Sequence, residues 1–213
     1  MVAEAPGGSK LLLGSASPRR SELLAQLEVP FRVETRAIDE VAIAAGAPSA
    51  LTAVTQIAQA KFVAFGKGHG AQAEILLTAD TLVACAGQIM GKPLSNQDLA
   101  ELLSLMSGNE IEISTAICVG ERGGESACET VTTKVLLRDL EPGEIERYVA
   151  CGVGMDKAGG LALQAEAGAF IHSVQGCWSN VLGLPLCAVA NALGRKSGWP
   201  ECCPEVCGGW KPQ

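Results

Sequence analysis

Between residues 10 and 27 the chain reads KLLLGSASPRRSELLAQL, a stretch that admits few local structures. The apolar run Leu11-Leu12-Leu13 stops at Gly14, and Leu23, Leu24 and Leu27 then recur at helical spacing. This predicts a buried strand, a tight turn and a helix. Ser17 suits the N-cap, where its hydroxyl accepts from a first-turn N–H. Pro18 suits the first helical position, because its missing N–H costs nothing there. Unpaired amides, the helix dipole and the guanidinium groups of Arg19 and Arg20 all favour an anion at that end. Arginine adds bidentate recognition of phosphate oxygens. Adjacent helical residues point roughly 100° apart, so Arg19 and Arg20 cannot share one task.

The rest of the chain alternates strands and helices without internal repeats. Strands are expected at 31–35, 75–85, 111–119, 130–137 and 169–174. Helices are expected at 49–67, 96–106, 142–151 and 180–193, with an acidic turn at Asp39-Glu40. Such alternation argues for an α/β fold. The pair at 111–137 reads as antiparallel around the turn at 120–124, which makes the sheet mixed. Residues 1–9 read as a flexible lead-in, 10–194 as one domain and 195–213 as a Cys/Pro/Gly-rich tail.

A length of 213 residues with 48% hydrophobic and 18% charged residues excludes extended disorder. The net charge of −7 gives no basic field for a nucleic acid polymer. No stretch reaches the roughly 20 apolar residues of a membrane span, and MVAEAPGGSK lacks the features of a signal peptide. The expectation is a cytoplasmic protein without nucleic acid or membrane partners. Of the nine cysteines, Cys85, Cys118, Cys128, Cys151, Cys177 and Cys187 stand singly and read as small hydrophobes of a reducing compartment. Cys202, Cys203 and Cys207 in the tail have no accompanying His and do not make an evident metal site.

Six polar islands interrupt the apolar elements: residues 15–20, Asp39-Glu40, Lys61, Asp80-Thr81, Lys92 and Asp156-Lys157. Several follow predicted strand ends, where ligands gather in open α/β sheets. Together they supply cations for phosphates, carboxylates for a hard divalent cation and a carboxylate to activate water. His69, in a Gly-rich loop, and His172, in an apolar strand, are read as structural.

The order LLLGSASPRR, IDE at 38–40, QAKF at 59–62, TADTLV at 78–83, GKP at 91–93, LMSG at 105–108, MDKAGGLALQ at 155–164 and NVLGLPL at 180–186 resembles the Maf-like nucleotide pyrophosphatases, the septum formation inhibitor family. The resemblance implies one inosine-triphosphatase-like domain, with a mixed twisted sheet flanked by helices and a cleft between two lobes. It also implies a homodimer that hydrolyses nucleoside triphosphates to monophosphate and pyrophosphate with Mg²⁺ or Mn²⁺. Carried over, Asp80 matches the general base, Glu40 a position tied to metal and catalysis, and Lys92 a catalytic position at the phosphates. Glu40 and Asp80 would hold the metal. Ser15, Arg20 and Lys61 match phosphate positions, and Asp156 and Lys157 are placed with the substrate.

Arg19, Thr81 and Gln164 resemble the subgroup that cleaves dTTP and UTP rather than 7-methyl-GTP, which implies a preference for pyrimidine nucleotides, modified ones included. Three segments depart from the family pattern: Asn109-Glu110-Ile111-Glu112, residues 160–165 in place of AYGIQG, and Cys177-Trp178 in place of Ser-Tyr. An alternative reading is a nucleotide-binding regulator of cell division without relevant turnover. A phosphomonoester hydrolase that releases orthophosphate is a weaker one.

Overall fold

The strand, turn and helix expected at the start are present as β1 (Lys10–Gly14) and α1 (Pro18–Ala25). The computed structural model describes residues 10–66, 74–163 and 166–194. The lead-in, His69, Gln164 and the tail with its cysteines lie outside the described residues.

The described chain forms two units. One holds the chain up to Asp80, Thr115–Val131 and the segment from Gly183; the other holds Thr81–Ser114 and Thr132–Leu182. In the first unit β1 runs parallel to β2 (Phe31–Glu34) on one side and to β3 (Glu74–Cys85) on the other. Leu11, Leu12 and Leu13 are all buried, as a parallel strand covered on both faces requires. A Cβ on Gly14 would meet Thr78 Cγ2 at 2.8 Å and Phe65 Cε2 at 2.9 Å, so only glycine passes there. Helices α2 (Glu40–Gly46) and α3 (Ala50–Gly66) join β2 to β3. Thr78 Oγ1 donates to the Ala58 carbonyl at 2.8 Å, tying α3 to the strand.

In the second unit β4 (Gln88–Met90) turns back antiparallel on the far half of β3. Then come α4 (Asn96–Met106), β5 (Glu110–Glu121), β6 (Ser126–Leu137), α5 (Pro142–Cys151) and β7 (Ile171–Gln175), which is antiparallel to β6. The core of this unit includes Val83, Met90, Leu99, Leu103, Ile113, Val135, Tyr148, Leu161 and Phe170. The hydrogen-bonded order is β2-β1-β3-β5-β6-β7 with β4 on β3, and β3, β5 and β6 contribute to both units. The fold is α/β with a mixed sheet: β1 pairs parallel with β2 and β3, while β4 pairs antiparallel with β3 and β7 with β6.

Four local expectations are corrected. Asp39-Glu40 is not an acidic turn: Asp39 caps α2 by accepting from Ala42 N at 2.9 Å, and Glu40 is its first residue. The helix expected over 180–193 is two, α6 (Trp178–Val181) and α7 (Leu186–Ala192). Gly183 at φ 106° and Pro185 before α7 interrupt the ladder between them. Ser17 occupies the N-cap position of α1, but its side chain makes no cap bond. Instead Ser15 Oγ accepts from Ser17 N at 3.2 Å. Finally, Cys118 and Cys128 are not independent small hydrophobes. The β5–β6 hairpin sets them opposite each other, Cα–Cα 4.2 Å, and they form a disulfide. Cys187, also read as a lone small hydrophobe, is disulfide-bonded too, whereas Cys85 and Cys151 are free thiols.

Candidate active site

The turn after β1 and the continuation of β3 bring four ionisable groups together within the first unit. Gly14 pairs with Thr78, so Ser15, just past the end of β1, stands beside Ala79-Asp80 in the middle of β3. In open α/β sheets that end is where ligands collect. Lys61, one helical turn before Phe65 on α3, reaches across to it. Its ammonium donates to Asp80 Oδ1 at 2.7 Å and pairs with Glu40 Oε1 at 2.8 Å. One cation therefore gathers two carboxylates, one from β3 and one from the start of α2.

Arg19 and Arg20 part as helical geometry requires. Arg19 is half-buried, whereas Arg20 turns inward and is 9% exposed. Arg20 Nε donates to the Gly183 carbonyl at 2.9 Å. Its Nη1 donates to the Ala79 carbonyl at 2.8 Å and to Ser15 Oγ at 3.3 Å. The guanidinium thus binds three points of the protein around Asp80. The first-turn residue expected to meet phosphate is also the pin that fixes the site's backbone.

Burial governs the electrostatics. Asp80 is 6% exposed, and loss of water raises its pKa above the ordinary carboxylate value, against the pull of Lys61 and Arg20. Burial also lowers the pKa of Arg20, against the charges of Asp80 and Glu40. A carboxylate made more basic by desolvation is better suited to accept a proton from water than a surface one.

The chemistry of the donor set fits a hard divalent cation. Two carboxylates already converge on one positive charge, and Mg²⁺ is commonly held by one or two carboxylates with waters and phosphate oxygens. Among the described residues no group of three or more His, Cys, Asp or Glu could hold a metal alone.

Of the other expected residues, Thr81, Lys92, Asp156 and Lys157 belong to the second unit. Lys92 is exposed in the turn between β4 and α4. Lys157 pairs with Asp156. His172 is exposed on β7. The carbonyls of Ala79 and Gly183 were not foreseen as part of the site, and no sequence signal marks a main-chain acceptor for a distant arginine.

Comparison with known proteins bears on the same residues. The family described as Maf-like protein matches residues 10–196. A dTTP/UTP pyrophosphatase of Geobacter sulfurreducens is 40% identical over 187 residues, covering 87% of this chain and 96% of that protein. One from Anaeromyxobacter is 40% identical over 195 residues, 90% of this chain and 91% of the relative. One from Moorella thermoacetica is 39% identical over 187 residues, 87% and 94% respectively. A solved nucleoside-triphosphatase / dITP/XTP pyrophosphatase from Mycobacterium abscessus aligns with 14% identity and a TM-score of 0.38, over 62% of this chain and 75% of that one. Matched along nearly all of its described length, the chain belongs to the Maf-like protein family.

Proposed function

We propose that this protein hydrolyses nucleoside triphosphates to nucleoside monophosphate and pyrophosphate, with dTTP and UTP, and their modified analogues, as preferred substrates. The observation that carries this reading is the buried Asp80 of β3, held with Glu40 on Lys61 beside the end of β1. Relatives at about 40% identity named for this activity support it.

Water attacks the α-phosphorus, and the bond from that phosphorus to the α–β bridging oxygen breaks. The water's oxygen stays on the monophosphate and the bridging oxygen leaves on pyrophosphate. Asp80 orients the water and takes its proton. Lys61 holds both carboxylates before substrate arrives and meets charge that develops on the phosphoryl oxygens. Arg20, through its bonds to the carbonyls of Ala79 and Gly183, holds the stretch of β3 on which Asp80 sits. A divalent cation on Glu40 and Asp80, Mg²⁺ or Mn²⁺, would lower the pKa of water and neutralise phosphate charge. Ser15, Lys92, Asp156 and Lys157 keep the substrate roles given by family resemblance, and Arg19, Thr81 and Gln164 the choice of base.

The reading also takes the protein as a cytoplasmic homodimer that acts on free nucleotides. Family resemblance and the net charge of −7 support this. Among the described residues no helix is long and apolar enough to cross a membrane.

The test is a panel of dTTP, UTP, dGTP and 7-methyl-GTP with Mg²⁺ or Mn²⁺, quantifying pyrophosphate and monophosphate. The expected result is faster release from dTTP and UTP, abolished by EDTA and restored by either metal. Equal rates on all four would overturn the pyrimidine preference. Orthophosphate in place of pyrophosphate would overturn the reaction. Nucleotide binding without turnover would favour a regulator.

A further inference from the structure

We propose that Tyr148 is a positioning residue for this reaction: its hydroxyl sets the backbone of the Gly-rich segment at 154–162 and, through it, the turn that carries Lys92. The proposal rests on the reading of Lys92 as a group that acts on the triphosphate.

The observations lie within the second unit. Tyr148, on α5, is 3% exposed and is the chain's single tyrosine. Its hydroxyl donates to the Gly160 carbonyl at 2.8 Å and accepts from Ala162 N at 2.8 Å. Gly160 and Ala162 are buried, and their main-chain groups face each other across an irregular turn that makes no ladder. Buried peptide groups need partners, and here one phenol serves both.

The next link leads to Lys92. Gly159 N, one residue before Gly160, donates to the Gly91 carbonyl at 2.9 Å, and Lys92 follows Gly91. Gly159 and Gly160 have φ of 64° and 68°, a conformation favoured only for glycine, and a side chain on Gly160 would run into Leu99. The segment is thus threaded against α4 on one side and pinned by Tyr148 on the other. Asp156 and Lys157 lie on the same segment, and the Lys157 carbonyl accepts from Gly160 N at 3.1 Å. Two hydrogen bonds, from Tyr148 to the Gly160 carbonyl and from Gly159 N to the Gly91 carbonyl, therefore connect a buried phenol to the turn of an exposed lysine. Small displacements of such groups are costly, since a misplacement of about 1 Å can reduce turnover about 100-fold.

Tyr148→Phe removes only the hydroxyl. A double-mutant cycle with Lys92→Ala, read as pyrophosphate release from dTTP, separates positioning from general stability. The expected result is that Y148F lowers kcat about tenfold with KM nearly unchanged, but has little further effect in K92A. Phe170→Leu is the packing control. Its ring lies 5.3 Å from that of Tyr148, and its loss leaves the hydroxyl bonds in place. F170L is expected to lower the melting temperature and leave kcat near that of the parent protein. An equal fold-loss from Y148F in both backgrounds, or a kcat loss in F170L matching that of Y148F, would overturn the Tyr148 link alone. K92A with full turnover would overturn the reading of Lys92, and the proposal with it.

Discussion

Two ionic clusters of the first unit each hold two acids, with three arginines in one and a lysine and an arginine in the other, yet their electrostatics are opposite. In one, Arg32 meets Glu74 through Nε at 2.9 Å and Nη2 at 2.7 Å, and Arg122 adds a third bond at 2.9 Å. Glu34 completes it by pairing with Arg32 and Arg122, and both Arg36 and Arg122 lie over the Phe65 ring. The bonds from Arg32 hold the Glu74 carboxyl down at about 2. In the other cluster burial raises the pKa of Asp80, and Arg20 donates to two main-chain carbonyls and a serine. Lys61 is shared between the two acids. Arginine forks saturate carboxylates and make a brace, whereas one ammonium between two carboxylates leaves oxygen capacity for a ligand.

The comparison is broken most directly at the acids. Asp80→Asn is expected to reduce pyrophosphate release from dTTP by about 10²- to 10⁴-fold, the usual contribution of a general base. Glu74→Gln should leave it near the parent rate. Similar losses in both variants would mean that the two clusters are not distinct in role. A smaller effect is expected at the shared cation. Lys61→Gln should lower kcat about 10²-fold, comparable with removing one preorganised electrostatic donor, while Arg32→Gln should not. Steady-state kinetics on the four variants makes the test.

The smallest effect sharpens the brace. The folded pKa of Glu74 is depressed, so its stabilisation is complete above the unfolded carboxylate value of about 4.3. It is lost as pH falls toward about 2. Glu74→Gln should therefore lose stability at neutral pH, by roughly 1–2 kcal/mol because Arg32 is half-exposed and screened. The gap from the parent should close on acidification through that window. Urea unfolding at a series of pH values measures it, and a gap that widens in acid would contradict the assignment.

Much of the fold is legible residue by residue because the signals are local. Pro142 at the first turn and the reciprocal Glu141–Glu144 cap define α5 at the expected boundaries. Ser95 caps α4 through Asp98 N, as its spacing predicts. Other elements failed for equally physical reasons. β4 has three residues, too few for a period to show. In α2, a capping Asp followed by a first-turn Glu looks the same in sequence as a polar turn. The pairing of Cys118 with Cys128 depends on hairpin register, which single scattered cysteines do not announce.

The candidate site divides in the same way. The sequence alone determined the strand-turn-helix at Ser15–Arg20, the identity of the acids and cations, and the family, because motif order and helical caps are written among near neighbours. Only the tertiary structure decided what those groups face. Arg20 bonds to carbonyls 59 and 163 residues away. Lys61 joins Asp80 to Glu40 across three different elements. Such partners are set by strand order and by which side of a helix is buried. A guanidinium suited to phosphate is equally suited to a carbonyl, and burial beside the strand end selects the carbonyl.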